Sequence, residues 1–390
     1  MNVWHIVTSE YPPDVGGVSD YTRHVAEGLA GSGDAVHVWC PITEARREAS
    51  RVVVHPELGR FRPTDLRRLS SGLDTFPTPR RLLVQWVPHG FGYRSMNLWF
   101  CFWLATRARR GDRVELMMHE AFVEIKRGPM RHVFMALVHR VMTLVLMGAA
   151  SRVWVSIPAW EPLLRPYALG RQVPIGWLPI PGCIGSQASV TVPSIRRNYV
   201  ADSEVLLGHF GSYGREVSVL LEGRLVEILN GDSRPSLLLI GAGSEAFRDD
   251  LIRRHAAWAE RLHAAGFVPS AELGAYIDAC DIFLQPYPDG VTSRRTSTMA
   301  CLAQGRPVVT TSGHLTEPLW SSTGAVVLAD VSDARAFALA VVGLLGDREE
   351  RSRIGWRGQR LYQERFTVSH VVDTLRATER RADVEMASCA

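Results

Sequence analysis

The stretch YPDGVTSRRTSTMA, residues 287–300, concentrates side chains that could hold an oxygen-rich, negatively charged ligand. It combines the Asp289 carboxylate, five serine or threonine hydroxyls and two adjacent arginines. An arginine fork binds two phosphate oxygens at once, and a capped helix start presents N–H groups at the positive end of the helix dipole. We predict a helix that Ser293 caps and Gly305 ends, so that residues 294–296 direct N–H groups at an anion. A well-capped surface helix would explain Ser293 but not the nearby carboxylate and arginines.

Two glycine-rich turns could supply further N–H donors. Gly16 and Gly17 follow the first predicted strand and precede a helix that Ser19 is expected to cap. The second turn follows a strand that begins near residue 204, and its polar or flexible residues are Gly211, Ser212, Gly214 and Arg215. Turns of this kind at helix N-termini can bind phosphate. Both stretches are also consistent with ordinary turns, the second carrying a solvated arginine.

A histidine and a glutamate, His119 and Glu120, end the apolar run LMMHE. Ligands of open parallel sheets bind beyond the carboxyl ends of the strands, so this pair is expected at the mouth of a binding cleft. There the imidazole could position a reacting sugar or phosphate. A histidine that only bonds a backbone carbonyl at the strand end is the competing interpretation.

These candidates need parallel strands to position them, and the chain shows the required pattern twice. Runs such as NVWHIVT and RVELMMH alternate with helical patterns in the first half, as do EVLLGHFG, SLLLIGAG and DIFLQPY in the second. At 390 residues the chain exceeds what one core usually serves. We predict an α/β fold of two doubly wound, Rossmann-like domains at residues 1–185 and 204–366, joined by a polar linker at 186–203.

Charge and cysteine usage restrict the partners and the compartment. Residues 1–190 contain 22 Lys and Arg against 15 Asp and Glu, a net +7, whereas residues 191–390 contain 22 against 25, a net −3. A basic half suits a phosphorylated ligand or a membrane surface, and no basic run has the length of a nucleic-acid arm. The six cysteines lack metal-ligand spacing, and the N-terminus reads as a strand, not a signal peptide. We expect a cytoplasmic protein.

Two apolar stretches bear on membrane contact. They are residues 96–105, MNLWFCFWLA, and residues 130–150, which His132, His139 and Arg140 interrupt. Neither reaches the roughly 20 uninterrupted apolar residues of a spanning helix. Each is expected to be either a buried helix of the first domain or part of a basic, aromatic surface that lies on a bilayer. The second interpretation would place the protein peripherally at the inner face of a membrane.

Together, and in this order, these stretches resemble the GT-B fold retaining glycosyltransferases of family 4 (glycosyltransferase group 1). EYPPDVGGVSDYTRHVAEGLAGSGDAVHV is similar to that family's first strand, Gly-Gly loop and helix, HE to its sugar-contacting histidine, and residues 266–311 to its donor-binding core. The resemblance implies two domains facing across a cleft, with a nucleotide-sugar donor on the second, an acceptor on the first, and retention at the anomeric carbon. It also implies no cofactor, no metal ion, and a C-terminal helix at 367–385 that packs back on the first domain.

The resemblance makes His119 and Asp289 the catalytic candidates, with Asp289 contacting the hydroxyls of the donor sugar. Backbone N–H groups near Thr292 and Ser293 would contact the diphosphate. Ser297 would face the nucleotide ribose, at the position where the family carries its second glutamate. A serine cannot offer two ribose hydroxyls the bidentate acceptor of a carboxylate.

The diphosphate clamp departs from the family as well. Ser212 stands where the family carries an arginine, and Arg215 is the cation nearest to its lysine. Arg294, Arg295 or both could compensate by reaching the diphosphate from the other side. The complete set of predicted donor-binding residues is Gly16, Gly17, Gly211, Ser212, Arg215, Gly290, Thr292, Ser293, Arg294, Arg295, Thr296 and Ser297.

The implied substrates are a UDP- or GDP-sugar and a glycan, lipid-linked or small-molecule acceptor, as in the biosynthesis of cell-envelope polysaccharides. Two other functions stay open from the sequence. One is a GT-B binding module without catalytic activity, which Ser297 motivates, and the other is a GT-B sugar-nucleotide epimerase, which would share the fold and the donor. Loss of transfer in His119→Ala would favour the transferase, and an epimerised nucleotide sugar formed without acceptor would favour the epimerase.

Overall fold

The structure is a computed structural model that describes residues 2–14, 16–41, 51–123, 125, 129–182, 192–201, 204–232 and 234–388, without the side chains of residues 379–388. The chain divides into two compact units: Met1–Ile180 with Val368–Ala390, and Pro181–Thr367. Each unit contains one parallel sheet with helices against it. The predicted α/β fold of two doubly wound domains is confirmed.

The first unit is built on a seven-stranded parallel sheet with the order β3-β2-β1-β4-β5-β6-β7. Its strands are Val3–Thr8 (β1), Ala35–Trp39 (β2), Val52–His55 (β3), Arg81–Trp86 (β4), Arg113–Met118 (β5), Arg152–Val155 (β6) and Ile175–Trp177 (β7). All six residues of β4 are buried. A strand covered on both faces gives a continuous apolar run, which is why the sequence predicted this sheet.

Helices cover both faces of this sheet. They are Gly17–Gly31 (α1), Pro63–Leu73 (α2), Leu98–Arg109 (α3), Met130–Ala149 (α4), Trp160–Leu164 (α5) and the last helix of the chain, Val368–Ser388 (α14). The cores on the two faces are separate: α2, α3 and α4 contribute to one, and α1 and α14 to the other. The stretches predicted near 96–105 and 130–150 correspond to α3 and α4.

α14 completes the core on the face of α1. A Cβ at Gly28 of α1 would lie 2.8 Å from Val372 Cγ2, so only glycine allows this close approach. Arg376 pairs with the buried Asp34 (3.0 Å), and Arg81 of β4 donates to Leu375 O (3.2 Å). Apolar contact and paired charge therefore both hold the last helix on the first unit.

The second unit contains a six-stranded parallel sheet with the order β10-β9-β8-β11-β12-β13. Its strands are Leu206–Phe210 (β8), Ser236–Ile240 (β9), Leu262–Gly266 (β10), Ile282–Gln285 (β11), Val308–Ser312 (β12) and Val327–Asp330 (β13). Its helices are Val192–Arg197 (α6), Arg215–Gly231 (α7), Ser244–Arg254 (α8), Ser270–Ala279 (α9), Thr296–Ala303 (α10), Pro318–Thr323 (α11), Ala334–Gly346 (α12) and Arg348–Arg365 (α13).

Part of the linker predicted at 186–203 belongs to the second unit. Residues 186–191 and 202–203 lie outside the described residues, but 192–197 form α6 of the second unit. Ile195 is buried against Ala275 and Ala279 of α9. One turn and a half of helix is too short to show a clear apolar period in the sequence, so tertiary contact with α9 decides its structure.

Candidate functional site

Loops that follow three neighbouring strands of the second unit lie at one edge of its sheet. β8, β11 and β12 are adjacent and parallel, so their carboxyl ends share that edge. The loops comprise residues 211–214, 286–295 and 313–317. Gln285 Nε2 donates to Phe210 O (2.9 Å) and so joins the end of β11 to the end of β8. Thr311 Oγ1 donates to Tyr287 O (2.7 Å) and joins β12 to the loop after β11.

The loop that carries Asp289 depends on glycine. Gly290 has φ +85°, and a Cβ there would overlap Thr316 Oγ1 and the backbone N of Gly313. Gly313 is equally constrained, since a Cβ there would lie 2.5 Å from Asp289 O. The two loops therefore touch backbone to backbone, and this contact fixes the position of Asp289.

The Asp289 carboxylate stays accessible at this edge. It is 40% exposed, and it lies 3.7 Å from Arg295 Nη2 and 3.9 Å from His314 Nε2. A partly solvated carboxylate has lone pairs for incoming hydroxyl donors. The geometry suits the predicted contact of Asp289 with the hydroxyls of a sugar.

The predicted cap of the next helix is wrong. α10 begins at Thr296 with Arg295 at the N-cap position, and Ser293 is buried before it. Ser293 donates its N–H (2.9 Å) and its hydroxyl (2.5 Å) to the carboxylate of Glu317, which also accepts from Trp320 Nε1 (2.7 Å). A buried carboxylate needs such donors to offset its lost hydration. The N–H of Ser293 is therefore bonded within the protein and does not face a diphosphate in this structure.

The shift of the helix start moves the predicted anion-binding groups. The N–H groups that have no acceptor within α10 are those of residues 296–298, in place of the predicted 294–296. Thr296 is exposed and Ser297 is half-buried, whereas Thr292 is fully buried. Of the predicted residues in this stretch, Thr296 and Ser297 thus lie at the accessible helix start, and Thr292 lies beneath the surface.

Ser297 belongs to a hydrogen-bond network around Tyr287. The Tyr287 hydroxyl donates to Gln285 Oε1 (3.2 Å) and lies 2.8 Å from the hydroxyls of both Ser297 and Thr298. Burial raises the pKa of Tyr287, so the phenol keeps its proton. The guanidinium of Arg295 lies over the Tyr287 ring, 4.5 Å from its centre. Ser297 thus joins α10 to β11 through Tyr287, and the same ring orients Arg295.

The turn after β8 carries the remaining predicted donor-binding residues. Ser212, Gly214 and Arg215 are exposed, and α7 begins at Arg215 with Gly214 at the N-cap. A Cβ at Gly241, in the loop after β9, would overlap Gly211 O, so the turn lies tightly against its neighbour. An exposed arginine at a helix N-terminus favours an anion through both its side chain and the helix dipole.

In the first unit, a carboxylate of the protein itself lies at the predicted glycine turn. α1 begins at Gly17 with Gly16 at its N-cap, and Glu10 Oε1 accepts the N–H of Ser19 (2.9 Å). A Cβ at Gly16 would overlap the Glu10 carboxylate. The Ser19 hydroxyl donates to Asp14 O (2.7 Å), so the predicted cap by Ser19 is wrong. An external phosphate at this helix start would have to displace Glu10.

His119 follows β5 and lies at the carboxyl edge of the first sheet. Its Nε2 is 2.8 Å from Gln85 Oε1. An amide oxygen only accepts, so Nε2 carries the proton and Nδ1 is left as an acceptor. The ring of Tyr21 from α1 meets the imidazole edge to face, with centroids 4.9 Å apart. Burial lowers the pKa of His119 to about 3, so the ring is neutral.

Sequence reasoning missed several residues that organise these sites: Glu10, Gln85, Tyr287 and Glu317. Gln85 had a detectable signal, because it is a polar residue inside the apolar run RRLLVQWV. A polar side chain in a strand covered on both faces must find a partner. Glu317 gave no local signal, since its partner Ser293 lies 24 residues away in the sequence.

The described residues contain no group of three or more His, Cys, Asp and Glu side chains that could hold a metal ion. The predicted site residues fall into two groups. Gly16, Gly17 and His119 belong to the first unit, and those from Gly211 to Ser297 share the carboxyl edge of the second.

Solved structures match nearly the whole chain. Sucrose-phosphate synthase from Thermosynechococcus elongatus is 16% identical with a TM-score of 0.74, over 99% of this chain and 100% of that chain. Anabaena HepE in complex with UDP and glucose is 13% identical with a TM-score of 0.66, over 97% and 99%. WaaG, a glycosyltransferase involved in lipopolysaccharide biosynthesis, is 13% identical with a TM-score of 0.63, over 96% and 98%. These likenesses show the GT-B fold, and a comparison with curated protein sequences finds no match.

The sequence of the second unit resembles that of a known family. Residues 205–347 match the family described as Glycosyl transferases group 1, and they include the edge formed by β8, β11 and β12. The second unit therefore carries a group 1 glycosyltransferase domain, and the chain as a whole has the GT-B fold. In this transferase, the predicted residues from Gly211 to Ser297 lie inside the matched domain, whereas Gly16, Gly17 and His119 lie outside it.

Proposed function

We propose that this glycosyltransferase moves a sugar from a UDP- or GDP-sugar to a glycan, lipid-linked or small-molecule acceptor, with retention of anomeric configuration and without a metal ion. The observation that supports this most is the grouping of Asp289, Arg295 and the start of α10 at one sheet edge of the group 1 domain. Solved structures of the same fold include HepE with UDP-glucose and a UDP-forming trehalose-phosphate synthase from Burkholderia vietnamiensis.

The chemistry required at the second unit is stabilisation of a leaving diphosphate. Negative charge grows on the nucleotide diphosphate as its bond to the sugar breaks. Arginines and helix N–H groups already aimed at that charge lower the barrier, because they need no reorganisation when it develops. Arg294 and Arg295 before α10, and Arg215 at the start of α7, are the cations that would serve this role.

The sugar would be held by Asp289, whose exposed carboxylate can accept hydrogen bonds from hydroxyl groups. His119 would contribute through the Nδ1 lone pair of a neutral ring, which accepts from a hydroxyl but provides no positive charge. With retention, the acceptor attacks the face from which the diphosphate leaves. The departing phosphate oxygen is then the nearest base for the acceptor proton.

A cytoplasmic location fits the thiols that the structure describes. Cys40, Cys101, Cys280 and Cys301 are buried and free of disulfides. Burial raises the pKa of Cys40 to about 12, so this thiol is unreactive. Buried, reduced cysteines suit a compartment in which disulfides do not persist.

The decisive experiment is a thermal-shift screen of the purified chain against UDP-, GDP-, ADP- and TDP-sugars, followed by product analysis with the sugar that raises the Tm. An acceptor screen with NMR of the anomeric proton should show transfer with retention, and chelation by EDTA should leave the rate unchanged. Stabilisation by no nucleotide sugar would contradict the proposal. Epimerised donor in reactions without acceptor would point to an epimerase.

A binding module without turnover is the second candidate. The residue type of Ser297 and its hydrogen bond to Tyr287 favour it. This residue replaces a carboxylate that the resemblance would place on the ribose, and its hydroxyl is already bonded to Tyr287. A module would be stabilised by a nucleotide but would give neither transfer nor donor hydrolysis across the panel. Asp289→Asn would then weaken binding of the nucleotide sugar, and there would be no transferase activity to lose.

A further inference from the structure

The outward face of α4 is apolar along its length. Met130, Phe134, Leu137, Val141 and Leu144 recur at spacings of four, three, four and three residues, which places them on one side of a helix. Their exposure ranges from 37% for Leu144 to 88% for Met130. The opposite side of α4 is buried in the core of the first unit. The exposed stripe is therefore additional to the apolar surface that the fold itself requires.

Aromatic residues extend this surface onto α3, which packs beside α4. Trp99 and Phe102 are exposed by 61% and 50%. Together with Trp103 they line a groove of about 260 Å³ between α2 and α3. α3 and α4 each connect successive parallel strands, so they run in the same direction, with their N-termini at the sheet edge where His119 lies.

The charged residues of α3 and α4 have one sign. Neither α3 nor α4 contains an acidic residue. Exposed arginines flank the apolar residues: Arg67 of α2, Arg109 and Arg110 at the end of α3, and Arg131 of α4. An apolar patch bordered by cations marks an interaction surface. A partner that matches it has apolar groups covered by negatively charged groups.

We propose that the face formed by α3 and α4, with Trp99, Phe102, Phe134, Leu137, Val141 and Leu144 at its centre, lies on the surface of an anionic lipid bilayer. The apolar residues enter the boundary between headgroups and acyl chains, and the arginines contact the headgroups. α4 is long and apolar enough to cross a membrane by composition alone. Its inner side fills the core of the first unit, so the helix lies on the bilayer and does not span it.

The alternative occupant of this face is a second copy of the chain. Pairing the face with itself would bring its arginines near those of the partner, with no carboxylate on either helix to neutralise them. Charge complementarity therefore favours the anionic bilayer. The inference goes beyond the proposed function and does not depend on donor or acceptor chemistry.

The test is co-sedimentation of the 390-residue chain with phosphatidylcholine vesicles that contain or lack phosphatidylglycerol. Phe134→Ser/Leu137→Ser probes the face, and Val219→Ser/Leu339→Ser is the matched control, because those two side chains are similarly exposed on helices of the second unit. Circular dichroism melts establish that each variant folds. If the Phe134→Ser/Leu137→Ser variant fails to fold, the single change Trp99→Ser replaces it as the probe of the face.

The protein should bind the phosphatidylglycerol vesicles, and the Phe134→Ser/Leu137→Ser change should weaken partitioning about tenfold, as expected for two partly inserted apolar side chains. The control variant should bind like the unaltered protein, and salt at about 0.5 M should reduce binding because it screens the arginines. Absence of vesicle binding, or equal binding by both variants, would overturn the proposal. A dimer in free solution that Phe134→Ser/Leu137→Ser dissociates would assign the face to self-association instead.

Discussion

Glu317 and Ser293 form a buried pair in which one carboxylate accepts both the N–H (2.9 Å) and the hydroxyl (2.5 Å) of the same serine. The pair fixes the turn between β11 and α10 from the far side, through the loop after β12. The direction of Arg294 and Arg295 therefore depends on Glu317, which lies in a different loop.

Replacing Glu317 by alanine should destabilise the protein by about 1–3 kcal/mol, because it leaves the buried donors of Ser293 and Trp320 without an acceptor. It should also raise the donor KM, since the turn before α10 loses its support. Glu317→Gln should recover part of the stability. Urea denaturation and donor kinetics measure both effects, with exposed Glu349→Ala as the control. Unchanged stability in Glu317→Ala would contradict this account of the turn.

Arg294→Ala should raise the donor KM or abolish transfer. A lost charge-assisted contact to a diphosphate is worth about 1.5–3 kcal/mol, equivalent to a factor of roughly 10–150 in binding. Arg295→Ala should have a similar effect and also remove the stacking on Tyr287. Steady-state kinetics with Arg253→Ala, on the exposed face of α8, as control would check this. Wild-type KM values in both site variants would count against the assigned role.

Ser297→Ala separates a structural role from contact with the ribose. If Ser297 serves mainly to bond Tyr287, its loss should cost about 1 kcal/mol of stability and leave the donor KM nearly unchanged, because Thr298 and Gln285 still hold the phenol. Denaturation and donor kinetics of the same variant give the answer. A large rise in KM with unaltered stability would restore the ribose contact.

Gln85→Leu should lower kcat more than it changes KM, because the proton on His119 Nε2 loses the acceptor that fixes its position. Gln85→Glu should respond differently: a carboxylate beside the ring would raise the pKa of His119 and introduce a new dependence of rate on pH. Rate profiles across pH 5–8 distinguish the variants. Identical profiles for all three proteins would show that Gln85 does not position His119.

Acid should destabilise the fold through its buried histidines. Burial lowers the pKa of His5, His119 and His209 to about 3. Below pH 6.5 the unfolded state therefore binds protons at these histidines, whereas the folded state keeps them neutral. Their contribution is fully present above the unfolded pKa of about 6.5 and is lost as pH falls from there towards 3, by about 2 kcal/mol per histidine at pH 5. His209→Gln should reduce the difference in unfolding free energy between pH 7 and pH 5, whereas exposed His132→Gln should not. Equal differences in both variants would refute this origin.

The parallel sheets could be predicted from the sequence because β4, β8 and β9 are covered on both faces and so read as apolar runs with turns at their ends. The positions of His119 and Asp289 after strands followed from the same pattern. The caps could not be predicted. Ser19 and Ser293 look like local caps, but Glu10 and Glu317 accept their N–H groups, and the choice between a local hydroxyl and a distant carboxylate depends on the folded chain.

The hydrogen-bond partner of Ser297 could not be predicted from the sequence either. Its alignment with a family glutamate suggested a ligand contact, whereas its partner is decided by where β11 places Tyr287. The helix α6 was not predicted for a related reason: Ile195 is buried by its contact with Ala275 and Ala279, which are distant in the sequence.

The contact between Gly28 and Val372 bears on the order in which the two units can fold during translation. The second unit is one continuous segment, so all of its sequence is available before the final helix has been made. The first unit is the earliest to be translated, yet its core on the face of α1 includes Val371, Val372 and Leu375. During synthesis, Val25 and Leu29 therefore stay uncovered until residues 368–375 have been made, and the second unit can fold before then.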